Sequence, residues 1–144
     1  MARFGKDSRA RLELAHPLLQ KLMNRAIKEM DFTILGSMRG RADQERAFKL
    51  GHTQVHFGKS AHNWLPAIAL DIAPWPVNWS RLKPFHRLAS IILPMAREME
   101  IPIRWGGDWD SDGDSTDQKF MDLPHYELTP WRQWAKKSKP FEGK

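Results

Sequence analysis

Residues 60–73 read SAHNWLPAIALDIA and contain a histidine, His62, followed by an apolar run with one acid, Asp71, in its middle. The alternation of that run predicts a short buried strand, because successive side chains of a strand point to opposite faces. Asp71 then shares its face with two small residues, Ala69 and Ala73. A buried carboxylate needs a partner, because an isolated buried charge is very unfavourable, and a metal ion would be one such partner.

A second stretch, DLPHYEL at residues 122–128, again places an acid and a histidine before a strand-like run. Pro124 separates Asp122 from His125, so a turn into a strand must present the pair rather than one face of a helix. On that strand His125 and Glu127 share a face. The chain has no cysteine, which excludes disulfides and thiolate zinc sites and leaves His, Asp and Glu as candidate metal ligands.

The composition is that of a soluble globular protein with 144 residues, 41% hydrophobic and 28% charged, which predicts one domain with a proper core. No apolar run approaches the ~20 residues of a membrane span, so we expect no stable membrane insertion. The N-terminal residues MARFGKDSRARLE are charged and lack an apolar segment, so no secretory signal peptide is predicted. The net charge of +6 favours polyanions such as nucleic acid, an anionic membrane or a bacterial wall.

Hydrophobic periodicity predicts helices that alternate with short strands. Gly51 is predicted to end the second helix as a C-terminal cap, and Pro94 predicts a kink or a break in the third. The predicted helices cover residues 14–30, 42–50 and 84–99, and the predicted strands lie within residues 31–35, 68–73 and 101–109.

Tryptophans mark two further segments. Trp75 and Trp79 lie in a Pro-rich loop after Asp71, where they either stack on a sugar or peptide or fill the core. Trp131 and Trp134 lie at helical spacing in a basic C-terminal tail. We predict that this tail packs its tryptophans on the core and frays at its end, the alternative being contact with an anionic wall or lipid surface.

The order of SAHNWLPAIALDIAP, WGGDW and DLPHYEL resembles zinc peptidases of the D-alanyl-D-alanine carboxypeptidase/VanY type. The resemblance is strongest to their phage endolysin branch, the L-alanyl-D-glutamate peptidases that cut peptidoglycan stem peptides, and it covers residues 14–128. The common family form S-x-H-x-x-G-x-A-x-D places histidine and aspartate seven residues apart. Here His62 and Asp71 are nine apart, with Pro66 in the widened loop.

The resemblance implies a catalytic zinc ion with His62, Asp71 and His125 as its ligands. It also implies that Asp122 is the catalytic base, since the family pattern D/E-x-x-H supplies an acid three residues before the last ligand. The alternative for Asp122 is a carboxylate that orients this ligand. Three protein ligands with one open position are typical of catalytic zinc, which activates water and polarises a carbonyl.

The segment GSMRGRADQERAFKLG resembles the family's strand, turn and helix, with Arg39 and Gln44 at the matching positions. By this resemblance Arg39 binds a substrate carboxylate or stabilises charge on the scissile carbonyl oxygen, although a surface arginine is the alternative. Gln44, Ser60 and Asp108 are predicted either to bind substrate or to position the metal ligands and catalytic residues by hydrogen bonding.

An acidic loop follows WGGDW. The spacing Asp108-x-Asp110-x-Asp112-Gly113 fits the opening of an EF-hand, and Asp110, Asp112 and Asp114 are possible calcium ligands. The twelfth position is Lys119, where an EF-hand needs a bidentate glutamate. A solvated acidic loop is therefore the favoured interpretation.

Together these observations predict a small single α+β domain over residues 1–144, with a core at 14–128 and a basic tail at 129–144. Helices pack on a central antiparallel sheet, and a zinc site lies in its cleft. The resemblance implies a phage endolysin, a zinc metallopeptidase that hydrolyses the L-Ala–D-Glu bond of peptidoglycan during host lysis. We expect a monomer that does not bind nucleic acid, stays in the host cytoplasm and reaches the wall at lysis.

Two alternatives remain open at this point. One is a D,D-carboxypeptidase or dipeptidase that acts on D-Ala-D-Ala. The other is a basic wall-binding or nucleic-acid-binding module whose zinc is structural. A structural zinc prefers a closed fourth position and needs neither Asp122 nor Arg39, which disfavours the second alternative.

Overall fold

A computed structural model describes residues 2–111, 113 and 121–143. Asp112 and Asp114, two of the three predicted calcium ligands, lie outside these residues. The helices are α1 Lys6–Glu13, α2 Pro17–Ala26, α3 Arg41–Lys49, α4 Lys83–Glu98 and α5 Trp131–Ala135, with a 3₁₀ turn at Ala61–Asn63. The strands are β1 Phe32–Gly36, β2 Trp64–Leu65, β3 Ala69–Pro74, β4 Ile103–Trp105, β5 His125–Leu128 and β6 Lys139–Pro140.

The central sheet confirms the predicted α+β class. Within the described residues β1, β3, β5 and β4 follow one another in that order, and each neighbouring pair is antiparallel. β3 lies inside this sheet, and its side chains are buried except for that of Asp71, which is partly exposed. The predicted strand at residues 68–73 is thus confirmed within one residue at each end. Asp71 is the residue of this strand that is partly accessible to solvent.

The first helices differ from the prediction. A helix over residues 14–30 was expected, but α2 begins at Pro17, where proline's fixed φ suits the first turn. His16 Nδ1 caps it by accepting a hydrogen bond from the Leu18 backbone N–H at 3.1 Å. Sequence periodicity missed α1, because this helix is mostly charged and buries only Ser8 and Leu12.

α4 continues through Pro94, so the helix does not break there. Proline removes one backbone hydrogen bond from a helix interior. Residues on both sides of Pro94, among them Leu88, Ile92 and Ala96, are almost fully buried in the core. We infer that this packing holds the helix together across the proline. Among the described residues, no helix has the length and apolar character needed to cross a membrane.

The described part of the C-terminal tail, residues 129–143, forms α5 and β6 and contacts the rest of the domain. Trp131 is buried in the core cluster, as predicted, and β6 pairs with β2 beyond it. The Phe141 backbone N–H donates to the Asn63 carbonyl oxygen at 2.7 Å. Arg41 makes an ion pair with Glu142 at 2.8 Å. The tail therefore binds the backbone of the turn that carries His62.

Candidate metal centre and active site

The three predicted metal ligands, His62, Asp71 and His125, lie together. His62 Nε2 is 3.1 Å from His125 Nδ1 and 3.2 Å from Asp71 Oδ1. Asp71 Oδ1 is 3.5 Å from His125 Nδ1. Pairing of β3 with β5 places Asp71 directly opposite His125, and the 3₁₀ turn before β2 brings His62 to them. The three atoms are close enough to hold one metal ion.

Each imidazole has one nitrogen that faces the centre, His62 Nε2 or His125 Nδ1, and one that faces away from it. The hydrogen bond of the nitrogen that faces away determines which of the two carries the hydrogen. His62 Nδ1 is 2.9 Å from the Ser37 carbonyl oxygen, which can only accept, so Nδ1 carries the hydrogen. His125 Nε2 is 2.7 Å from Glu127 Oε1 and donates to that carboxylate. With neutral rings, two nitrogen lone pairs then face each other at 3.1 Å. Such a pair requires a proton or a cation between the rings, which fits a metal ion.

The pKa values of His125 and Asp71 show that the charges around the three candidate ligands favour a cation at this position. Burial by itself lowers the pKa of His125, but hydrogen bonds to Asp71 and Glu127 raise that pKa to about 10. Burial raises the pKa of Asp71, yet its electrostatic interactions and hydrogen bonds with the imidazoles of His62 and His125 hold that pKa well below its usual value. The carboxylates thus stabilise a cation at the inner face of His125.

Glu127 accepts a hydrogen bond from His125 Nε2, the ring nitrogen that faces away from the other two candidate ligands. Its side chain is 5% exposed, and besides His125 it accepts a hydrogen bond from Arg104 Nη2 at 2.7 Å. Arg104 also lies over the Trp109 ring at 5.2 Å. A buried carboxylate needs such pairing. Glu127 is thus placed to orient the His125 ring and fix its tautomer, as carboxylates do behind metal-binding histidines.

Asp122 lies beside the three ligands without joining them. Its Oδ2 is 4.0 Å from His125 Nδ1, and its side chain is 31% exposed. Burial and the neighbouring Asp71 raise the pKa of Asp122, although the charge of His125 opposes this. Its backbone N–H donates to the Gly106 carbonyl oxygen at 2.9 Å. A Cβ at Gly106 would collide with the Asp122 backbone, so the first glycine of WGGDW is what permits this close approach.

Arg39 lies near the same centre, beside the second carboxylate oxygen of Asp71. Its Nη2 is 3.6 Å from Asp71 Oδ2, and its Nη1 donates to Gln44 Oε1 at 3.2 Å. Gln44 is fully buried and donates in turn to the Val55 carbonyl oxygen at 2.8 Å. Asn63 Nδ2 donates to the Arg39 carbonyl oxygen and to Gln44 Oε1. Gln44 therefore positions Arg39 and does not line the cleft.

The other predicted site residues lie in different places. Ser60 Oγ accepts from the His62 backbone N–H at 3.2 Å and caps the 3₁₀ turn, so it orients the first ligand. Asp108 accepts a hydrogen bond from the Gly113 N–H at 2.8 Å and lines a separate surface groove beside α4. Asp110 is exposed in the turn that follows and does not belong to the ligand group.

The ligands open into a cleft of about 440 Å³. Cationic side chains are prominent in its lining, namely those of Arg39, Lys59 and Arg104, and the wall also includes Trp109 and Asp122. The cleft thus combines a candidate metal centre, the carboxylates of Asp122 and Glu127 outside the group of candidate ligands, and positive charge for an anionic ligand.

Comparison with known proteins agrees with this geometry. The family profile described as phage L-alanyl-D-glutamate peptidase matches residues 1–129. The chain belongs to this family. It is 30% identical over 122 residues to the L-alanyl-D-glutamate peptidase of Escherichia phage T5, which covers 81% of this chain and 88% of the phage T5 enzyme. The crystal structure of the Serratia marcescens L-Ala D-Glu endopeptidase ChiX superimposes with a TM-score of 0.72 at 25% identity, covering 92% of this chain and 94% of ChiX.

Sequence reasoning missed several residues that support this peptidase-family centre. Ser37 contributes a backbone carbonyl, which no side-chain motif can reveal. Glu127 lies two residues after His125 and shares its strand face, a pattern that was visible but carried no assigned role. Arg104 and Asn63 lie far along the chain from the residues they bind, so only the fold brings each of them to its partner.

Proposed function

We propose that this chain is a zinc-dependent peptidoglycan peptidase that hydrolyses the L-Ala–D-Glu bond of wall stem peptides. The observation that carries the proposal is the convergence of three donor atoms, His62 Nε2, Asp71 Oδ1 and His125 Nδ1, with Asp122 beside them in an open cleft. Membership of the phage L-alanyl-D-glutamate peptidase family supports the assignment of the L-Ala–D-Glu bond as the one that is cleaved.

Zinc is the ion that suits this donor set. Two imidazole nitrogens and one carboxylate oxygen are ligands that zinc prefers, and three protein ligands leave one position for substrate or water. When bound there, zinc would polarise the scissile carbonyl and make a water molecule a strong nucleophile near neutral pH.

Asp122 would act as the general base. Its carboxylate would take the proton from the attacking water and deliver it to the nitrogen of D-Glu, which leaves as the amine. Its raised pKa suits both transfers, because a base with a pKa nearer neutrality also serves as an acid. Its position outside the ligand group leaves it available for this exchange.

Arg39 would stabilise negative charge on the scissile carbonyl oxygen. A guanidinium remains charged at all relevant pH values and donates in a planar fork. Gln44 and the Asp71 carboxylate hold this side chain at the edge of the centre. A donor that is already oriented stabilises developing charge without reorganising during the reaction.

The remaining expectations extend the proposal. Residues 1–144 would form one peptidase domain and act as a monomer on peptidoglycan, without binding nucleic acid. The enzyme would be made in the host cytoplasm and would reach the wall when the cell is lysed. The calcium site remains a sequence prediction, because two of its three residues, Asp112 and Asp114, lie outside the described part of the chain.

The proposal is tested by digesting purified peptidoglycan with the protein and analysing the released fragments by mass spectrometry. New N-terminal D-Glu and L-Ala carboxyl ends on the glycan, abolished by a chelator and restored by zinc, are expected. Loss of terminal D-Ala instead would identify a D,D-carboxypeptidase. A protein that retains zinc but cleaves nothing would refute both enzyme assignments and leave a binding module.

A further inference from the structure

A second groove adjoins the metal cleft at Asp122. It has a volume of about 800 Å³, and Asp122 and His52 line both this groove and the metal cleft. The two spaces therefore meet at the proposed general base. A substrate that extends to both sides of its scissile bond would enter both of them.

The surface of this second groove is strongly apolar. Trp79, Leu82, Phe85 and Met121 line it, and we call these four residues the apolar shelf. Trp79, Leu82 and Met121 are 58%, 53% and 41% exposed. Large apolar side chains that are exposed together on a soluble protein mark a binding surface.

One exposed member of the shelf, Trp79, packs directly on the core. The Trp79 ring stacks on the Phe85 ring with centroids 5.3 Å apart and planes 26° apart. Phe85 is 3% exposed and belongs to the core cluster at the first turn of α4. The core thus supports the exposed Trp79 ring from below, and a preorganised ring binds a ligand with little loss of side-chain entropy.

The other side of the centre has the opposite character. Arg39, Lys59 and Arg104 line the metal cleft and do not line the groove of the apolar shelf. The active site is therefore cationic on one side of Asp122 and apolar on the other. A substrate whose two ends differ in the same way would bind in one direction only.

The bond of the proposed function has this asymmetry. On the amine side of the bond, D-Glu carries a free carboxylate. On the carbonyl side, L-Ala carries a methyl group and is joined through a lactyl group to the muramic acid ring of the glycan. Resting on the proposed function, we infer that the apolar shelf binds this lactyl–muramoyl side, with the sugar ring against Trp79, while the cationic side receives the D-Glu carboxylate.

Two synthetic substrates test the shelf. One is N-acetylmuramoyl-L-Ala-D-Glu-diaminopimelate, and the other is the same tripeptide with a simple N-acetyl group in place of the muramoyl group. kcat and KM are measured on both for the zinc-loaded wild type and for Trp79→Ala. Covering about 60 Å² of apolar ring corresponds to roughly tenfold in affinity. We therefore expect kcat/KM for the muramoyl substrate, relative to the acetyl substrate, to fall about tenfold, mainly through KM.

Trp75→Ala is the matched control, because Trp75 is 60% exposed in the same loop and does not line the shelf groove. It should leave the ratio unchanged. Leu82→Gln provides a second variant on the shelf and should lower the ratio as Trp79→Ala does. Thermal unfolding of each variant confirms that it is folded before the kinetics are compared.

The outcomes separate the two proposals. If the wild type cleaves both substrates and the shelf variants leave their ratio unchanged, or lower both values equally, the shelf assignment is wrong and the proposed function stands. If the wild type cleaves neither substrate at the L-Ala–D-Glu bond, the proposed function is wrong, and the shelf assignment that rests on it is also refuted.

Discussion

Replacing Glu127 by glutamine should weaken zinc binding without unfolding the protein. Glu127 is the buried carboxylate that accepts the His125 Nε2 hydrogen at 2.7 Å and pairs with Arg104 at 2.7 Å. Glutamine has nearly the same shape, and its side-chain oxygen can still accept a hydrogen bond, but its charge is lost. His125 Nδ1 then becomes a weaker metal ligand, because the negative charge of Glu127 at Nε2 no longer raises the basicity of the ring.

The size of the effect follows from the role of such partners. Loss of a carboxylate behind a ligating histidine typically weakens metal affinity by about 10- to 100-fold, or roughly 1.4–2.7 kcal/mol. We place Glu127→Gln in this range, because Glu127 is 5% exposed and solvent screens its charge little. The measurement is a zinc titration of the apo protein in competition with a chromophoric chelator, with far-UV circular dichroism as a check of folding.

Glu45→Gln is a matched control. Glu45 pairs with His56 at the same distance of 2.7 Å, but both side chains are exposed, 42% and 61% respectively, and neither is a proposed ligand. This variant should bind zinc like the wild type. A zinc affinity of Glu127→Gln within twofold of the wild type, in a folded protein, would refute the assigned role of Glu127.

Three further predictions follow from the geometry of the site and the first helices. Asp122→Asn should retain stoichiometric zinc but lose about 10²- to 10⁴-fold in kcat, measured on peptidoglycan; loss of zinc instead would show that Asp122 orients a ligand. Gly106→Ala should lower the free energy of unfolding in urea by about 1–3 kcal/mol, because its Cβ would meet the Asp122 backbone. Gly36→Ala, whose Cβ would have no neighbour within 4 Å, is the control and should change stability by at most about 0.5 kcal/mol. Burial, and secondarily Lys137, lower the pKa of His16 from its ordinary value of 6.5. The unfolded chain therefore binds more protons at this site, and stability should fall as pH drops below 6.5. His16→Asn keeps an N-cap and should reduce this pH dependence of urea unfolding; an unchanged slope would contradict the argument.

Local patterns predicted the strands that carry the ligands. Alternation around Asp71 indicated a buried strand with one acid on a face of small residues, and the structure confirms β3 there. The absence of cysteine limited the possible metal ligands to His, Asp and Glu. Strand periodicity and residue chemistry are local properties, so they can be predicted from neighbouring residues without knowledge of the tertiary structure.

Local patterns failed where packing between distant segments decided the outcome. Helix α1 has little apolar periodicity and forms against β1, where the Ser8 hydroxyl accepts from the Ile34 N–H at 3.0 Å. α4 passes Pro94 because its buried face is held by the core. β6 in the C-terminal tail was not predicted and pairs with β2. Each case depends on a partner that is remote in sequence.

The sequence by itself determined which residue types can act here and which of them lie on strands. It also determined the family, through the order of its motifs. Only the tertiary structure decided how they combine, because antiparallel register places Asp71 opposite His125 and a remote carbonyl of Ser37 selects the tautomer of His62. The same packing places Glu127 against His125 Nε2, outside the group of three candidate ligands, and leaves Trp79 exposed in the groove that Asp122 also lines. These outcomes depend on contacts between segments far apart in the chain, which no local periodicity encodes.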